Sequence, residues 1–164
     1  MAQGVIIGRR GCPRAQATFE GLPVTGVYGL PLREGVASYL LQDRGKGLGK
    51  LRIGVIGLGM GRHHIAGYQT HPQAEVVAVA DPDSLRLKEV ADQYGVPRRY
   101  ATGEEMLPKE KLDVVSVATP NKLHAPLTLA ALEAGCHVLC EKPMAMNARE
   151  ARQMLAAAQR AGRR

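Results

Sequence analysis

The pattern of apolar and polar positions divides the chain near Leu51. Ahead of it no apolar run persists. Gly4, Gly8, Gly11, Pro13, Gly21, Pro23, Gly26, Gly29, Pro31 and Gly35 recur at irregular intervals and would punctuate any helix or strand before it matures. A short helical turn is predicted over Val36–Gln42, followed by a flexible linker, Arg44-Gly45-Lys46-Gly47-Leu48-Gly49-Lys50. Residues 1–50 are read as an irregular, disordered extension. Two readings of it stay open: a targeting or partner-binding arm, or a mis-called start with translation beginning near Leu51.

From Leu51 onward strand and helix patterns alternate. Strands are predicted at Leu51–Ile56, Ala74–Ala80, around Arg99–Ala101, at Asp113–Ala118 and at His137–Glu141, the last of them buried. A first helix is predicted over Arg62–Thr70, closed before Pro72. A second covers Ser84–Tyr94, with Leu85, Leu87, Val90 and Ala91 as its inner face and Gly95 as its stop. Thr102 and Glu105 sit in capping-box register for a short helix. Pro126 suits the first turn of a helix over Leu127–Ala134 that Gly135 ends, and Asn147, with Glu150, caps a last helix to about Ala161. Repeated strand–helix alternation with right-handed crossovers gives an α/β fold: a Rossmann-type parallel sheet in the order 3-2-1-4-5, with helices on both faces. Ligand-binding groups then belong at the carboxyl ends of the strands. Residues 51–164 are read as this one dinucleotide-binding domain.

Composition narrows the class. Hydrophobic residues make up 45% of 164 and aromatics only 4%, so the core is built from Val, Ile, Leu, Ala and Met, as suits a parallel sheet under helices. The net charge of +7 raises nucleic acid as a partner. The basic residues are scattered, however, and no aromatics interleave with them as stacking platforms, so nucleic acid is set aside. Cys12, Cys136 and Cys140 form an odd, sparse set that fits a reducing compartment; a metal at Cys136-His137-Val138-Leu139-Cys140 lacks a second ligand pair. No apolar run of membrane-spanning length exists, and Arg9-Arg10 is not followed by the apolar stretch of an export signal. A cytoplasmic location without membrane contact is expected.

The candidate chemistry lies first in Ile56-Gly57-Leu58-Gly59-Met60-Gly61-Arg62. Gly57 lets the chain turn off the first strand, and Gly59 leaves room for a pyrophosphate to approach the backbone. The following helix points unpaired N–H groups and the positive end of its dipole at the phosphates. The third small residue of the strict G-x-G-x-x-G fingerprint falls at Arg62. Gly61 comes one place early, which predicts altered packing of helix on strand. Asp81, ending the second strand, can accept from the adenosine ribose hydroxyls and would repel a 2′-phosphate, favouring NAD over NADP. Arg86 and Ser84 keep NADP possible.

After the fourth strand comes Thr119-Pro120-Asn121-Lys122-Leu123-His124, and after the fifth Glu141-Lys142-Pro143-Met144-Ala145. With these pairs in place, the stretch from about Leu51 to Gly162 resembles the glucose-fructose oxidoreductase and inositol dehydrogenase (Gfo/Idh/MocA) family. The resemblance implies an NAD- or NADP-dependent oxidoreductase acting on a carbon that bears a hydroxyl, commonly on a sugar or cyclitol. It implies that Thr119, Pro120 and Asn121 line the nicotinamide side of the groove. Lys142 would hydrogen-bond the substrate hydroxyl and assist proton transfer. Glu141 would position Lys142 or contact the cofactor ribose, and Pro143 would shape the turn through a cis bond. A Lys at a strand end, beside a carbinol losing hydride, suits that work chemically. His124 is read equally as a capping, packing or substrate-contacting residue, and His63 and His64 are assigned no chemistry.

Family members carry a second α/β domain that covers the groove, supplies further substrate and acid–base residues and builds the oligomer interface. Without it the chain is expected to bind the dinucleotide, to lack turnover by itself, and not to oligomerise. The alternatives are a nucleotide-sensing or partner-binding module without catalysis, and a gene fragment without function.

Overall fold

The structure, a computed structural model, describes residues 49–164. The extension expected over residues 1–50 lies outside the described residues except for Gly49 and Lys50, and the turn expected over 36–42 lies wholly outside them.

Five parallel strands form one sheet in the order β3-β2-β1-β4-β5. They are β1 (Leu51–Ile56), β2 (Ala74–Ala80), β3 (Arg98–Tyr100), β4 (Val114–Val117) and β5 (His137–Cys140). The helices are α1 (Leu58–Gln69), α2 (Ser84–Tyr94), α3 (Gly103–Met106), α4 (His124–Glu133) and α5 (Ala148–Ala161), with a 3-10 turn at Asn121–Leu123 leading into α4. On one face of the sheet, Ile53, Val55, Val76, Val79 and Val114 pack with Leu58, Ile65 and Tyr68 of α1 and Val90 and Ala91 of α2. On the other, Ile56, Val77, Ala78, Ala80, Val115 and Val117 pack with Met106 of α3 and Leu127 and Ala131 of α4. Helices thus cover both faces, the arrangement a parallel sheet needs to bury its strands. Among the described residues no helix is long and apolar enough to cross a membrane.

Several predicted boundaries move, each for a physical reason. α1 begins at Leu58, four residues before the predicted start, because Gly57 at φ 86° is itself the N-cap. Leu58, Gly59, Met60 and Gly61 therefore form the first helical turn rather than a loop. Leu85 is not on the inner face of α2 but is 79% exposed. The buried stripe is Leu87, Val90, Ala91 and Tyr94 at i, i+3, i+4 and i+7, and Leu85 falls off it. α4 starts at His124, so Pro126 is its third residue, where a missing N–H costs nothing. β5, expected to be buried, is half-buried throughout, because the strand order leaves it at the sheet edge.

The predicted N-caps form, but the reciprocal Glu150 bond goes to the residue before the cap. Asn147 Oδ1 accepts from Glu150 N at 3.0 Å, while the Glu150 carboxylate reaches back to Met146 N. Thr102 Oγ1 accepts from Glu105 N at 3.2 Å.

One irregularity bears directly on the site. The register of β1 on β2 passes from Ile53↔Val76 to Gly54↔Ala78, so Val77 is an extra residue in β2. Such a bulge reverses the in–out alternation beyond it. Val76 and Val79 consequently share one core, and Val77, Ala78 and Ala80 the other. The reversal carries Asp81 to the α1 side of the sheet.

A candidate dinucleotide site at the strand ends

The carboxyl ends of the three central strands meet at Gly57. Its N–H donates to Ala80 O at 2.8 Å, and Ala118 N donates to Ile56 O at 2.8 Å. A Cβ on Gly57 would lie 2.6 Å from Ala118 O and 2.9 Å from Thr119 N. The positive φ and this contact both demand glycine. Gly61 packs α1 onto β1: a Cβ there would stand 2.7 Å from Val55 Cγ1. The close helix–strand approach expected to be altered by Arg62 is therefore kept, with Gly61 supplying it one residue early. Arg62 bends back along its own helix, with Nε 3.2 Å from Gly59 O.

Gly59 is different. It is exposed, and a Cβ there would meet nothing within 4 Å. The N-cap, Gly57, has no side chain, no acidic residue lies in the first turn of α1, and Asp81 takes only the first N–H of the helix, that of Leu58. Met60, beside Gly59, is 47% exposed. A helix N terminus open beyond its first N–H is what a diphosphate requires. Near it the Thr119 hydroxyl oxygen is buried with no hydrogen-bond partner among the described residues. The residues present fit a dinucleotide.

Asp81 is 3% exposed, not an open carboxylate. Its Oδ2 accepts from Leu58 N at 2.7 Å and its Oδ1 from Asp83 N at 2.9 Å. Arg86 Nη1 stands 3.3 Å from Asp81 Oδ1, and Arg86 Nη2 stands 3.0 Å from Asp83 Oδ2. Asp81 therefore ties the glycine turn to the start of α2, and Arg86 shields its charge.

Asn121 opens the 3-10 turn after β4; it and Pro120 are exposed, and Thr119 is half-buried. On the neighbouring strand end, Glu141 N donates to Val117 O at 2.9 Å, and the Lys142–Pro143 peptide is cis. His124 joins the two loops. It is 1% exposed, with Nδ1 2.8 Å from Pro143 O and Nε2 2.8 Å from Thr119 O. Carbonyl oxygens only accept, so the ring's N–H donates to one of the two while the other carbonyl lies against the second ring nitrogen. The resulting role is packing and loop bridging.

Lys142 is exposed, while Glu141 is half-buried and held on both oxygens. Oε1 lies 2.9 Å from His64 Nε2, and Oε2 accepts from Lys142 N at 3.1 Å. Partial burial pushes the Glu141 carboxyl up, but the hydrogen bonds from His64 and from Lys142 N, with the nearby Lys142 charge, outweigh it and hold the group below its ordinary value. His64 is the site residue that sequence reasoning passed over. The signal available was its i, i+4 spacing to Tyr68 on the sheet-facing side of a helix that starts at Leu58.

Residues 51–164 match an oxidoreductase family whose description is an NAD-binding Rossmann fold. Among curated proteins the chain is 42% identical over 115 residues to a D-glucoside 3-dehydrogenase of Escherichia coli (strain K12), covering 69% of this chain and 33% of that protein. It is 38% identical over 112 residues to a 1,5-anhydro-D-fructose reductase of Ensifer adhaerens, covering 68% and 34%. Among solved structures, the WlbA dehydrogenase from Bordetella pertussis in complex with NADH and UDP-GlcNAcA superposes with a TM-score of 0.67 at 32% identity, covering 70% of this chain and 36% of that one. The chain spans about a third of the length of the curated relatives it matches.

Proposed function

The chain belongs to the Gfo/Idh/MocA family of oxidoreductases with an NAD-binding Rossmann fold, and from that premise we propose that residues 51–164 are the cofactor-binding part of a dehydrogenase acting on a CH–OH group of a sugar, cyclitol or related polyol. The residues that hold the dinucleotide are Gly57, Leu58, Gly59, Met60, Gly61 and Arg62 at the diphosphate, Asp81 at the adenosine ribose, and Thr119, Pro120, Asn121, Glu141 and Pro143 toward the nicotinamide. When bound, the cofactor supplies the acceptor or donor of hydride. Lys142 hydrogen-bonds the substrate hydroxyl and moves its proton, since hydride leaves a carbinol more readily as that proton is drawn away. Glu141 orients Lys142 through the backbone bond between them. The dehydrogenase and reductase names of the matched relatives support the reaction class.

The observation that carries this reading is the open approach at Gly59 over a helix N terminus where Asp81 engages only the N–H of Leu58. NAD is preferred to NADP: Arg86, the cation that would meet a 2′-phosphate, is already committed to Asp81 and Asp83. Fluorescence titration of the full chain with NADH and NADPH tests this. NADH binds more tightly, and both Gly59→Val and Asp81→Ala weaken it. Unchanged affinity in both variants, or tighter binding of NADPH, overturns the assignment.

A further inference from the structure

A polar chain runs beneath the strand ends to the Glu141–Lys142 turn. Tyr68 is 8% exposed and Ser116 fully buried. Tyr68 Oη lies 2.8 Å from Ser116 Oγ, and Ser116 Oγ lies 3.2 Å from His64 Nδ1. His64 Nε2 lies 2.9 Å from Glu141 Oε1, and Glu141 Oε2 accepts from Lys142 N at 3.1 Å. The fold assembles this row deliberately. His64 and Tyr68 stand one turn apart on α1. Ser116 lies between Val115 and Val117 on β4, and those two belong to the opposite core, so its hydroxyl faces α1.

The row has a direction. Ser116 is the hydrogen-bond partner found for the Tyr68 hydroxyl among the described residues. Burial pushes the Tyr68 phenol up, more than the Ser116 contact lowers it, so it keeps its proton. A buried phenol proton must rest on an acceptor. Ser116 Oγ therefore accepts from Tyr68, and the Ser116 proton is left to donate to His64 Nδ1. An accepting Nδ1 places the ring proton on Nε2, which donates to Glu141. Reversing the row would put the ring proton on Nδ1 and leave a bare Nε2 facing a Glu141 oxygen 2.9 Å away, two acceptors with no proton between them.

We propose that His64 is a positioning residue for the Glu141–Lys142 turn, accepting at Nδ1 from Ser116 and donating from Nε2 to Glu141. The proposal rests on the functional reading above in taking that turn as part of the reacting centre. Through it, a residue at the foot of the cofactor-binding helix fixes the carboxylate that in turn holds the Lys142 backbone.

The test uses the full chain, labelled with 15N. Long-range 1H–15N spectra report the tautomer of His64, assigned by the cross-peaks that vanish in His64→Gln. The expected result is a single Nε2–H form in the wild type and the same form in Tyr68→Phe, since the Glu141 carboxylate still requires a donor. An Nδ1–H form in either protein overturns the proposal. The Lys142 amide resonance is expected to shift in His64→Leu and to return toward its wild-type position in His64→Gln, whose amide can still donate to Glu141. NADH affinity follows the same order, falling roughly tenfold in His64→Leu, the worth of one hydrogen bond to a charged group, and recovering in His64→Gln. Equal behaviour of the Leu and Gln variants refutes positioning through that bond. If His64→Leu does not fold, the Tyr68→Phe and His64→Gln readouts decide. Failure of the wild type to bind NADH would count against the functional reading alone, because the tautomer and the Lys142 resonance are measured without cofactor.

Discussion

Two glycines two residues apart in α1 should respond in opposite ways to the same methyl group. At Gly61 an added Cβ stands 2.7 Å from Val55 Cγ1 and 3.6 Å from Ala118 Cβ. Val55 is fully buried on a central strand, so it cannot swing away, and helix and sheet must separate. Overpacking of this kind costs roughly 1–3 kcal/mol, against which the better helix propensity of alanine returns at most about 1 kcal/mol. A net loss of about 1–2 kcal/mol lowers the Tm of a domain this size by roughly 3–10 °C. At Gly59 the added Cβ meets nothing within 4 Å, so Gly59→Ala should leave stability unchanged or raise it by up to about 1 kcal/mol. The methyl then stands where the diphosphate comes closest to the backbone, and NADH affinity should fall about tenfold or more, at least 1.4 kcal/mol. Thermal unfolding followed by circular dichroism gives the first quantity, and NADH fluorescence titration the second. A Gly61→Ala protein as stable as the wild type would refute the packing argument. A stable Gly59→Ala protein with undiminished affinity would refute the placement of the diphosphate.

His124→Leu removes the ring N–H that serves the paired carbonyls Thr119 O and Pro143 O in a buried position. It should destabilise by about 2 kcal/mol or more, one unmet carbonyl alone costing roughly 1–3, and urea denaturation will show it. His124→Gln, which keeps one donor, should recover part of the loss. The Glu141 carboxyl is held below its ordinary value of 4.5, so the stability it contributes is fully present above that range and is lost as the pH falls through the lower folded-state value. In Glu141→Gln the difference in Tm from the wild type should accordingly shrink as the pH falls below 4.5. A difference that stays constant from neutral pH into acid would contradict the assignment.

The architecture was legible because its signals are local. Val-rich runs separated by amphipathic stretches specify alternating strands and helices, and the handedness of crossovers then leaves few strand orders. The glycine turn, Asp81, and the Thr-Pro-Asn and Glu-Lys-Pro segments could all be marked because each borders a readable strand end. The helix start at Leu58 was not, since Gly59 and Gly61 argue against helix by propensity while the φ of Gly57 decides in its favour.

What the residues alone determined, then, was where the candidate binding groups lie: a bend, an acid and two loops at the ends of parallel strands. Tertiary structure alone decided how they are held. The extra residue in β2 that turns Asp81 toward Leu58 shows only in the pairing with β1. The fit of Gly61 against Val55 is a matter of inter-element distance. The bond from His64 to Glu141 joins positions 77 residues apart. Periodicity and capping act within a few residues along the chain. These three features depend on which distant atoms the packed sheet brings within bonding range.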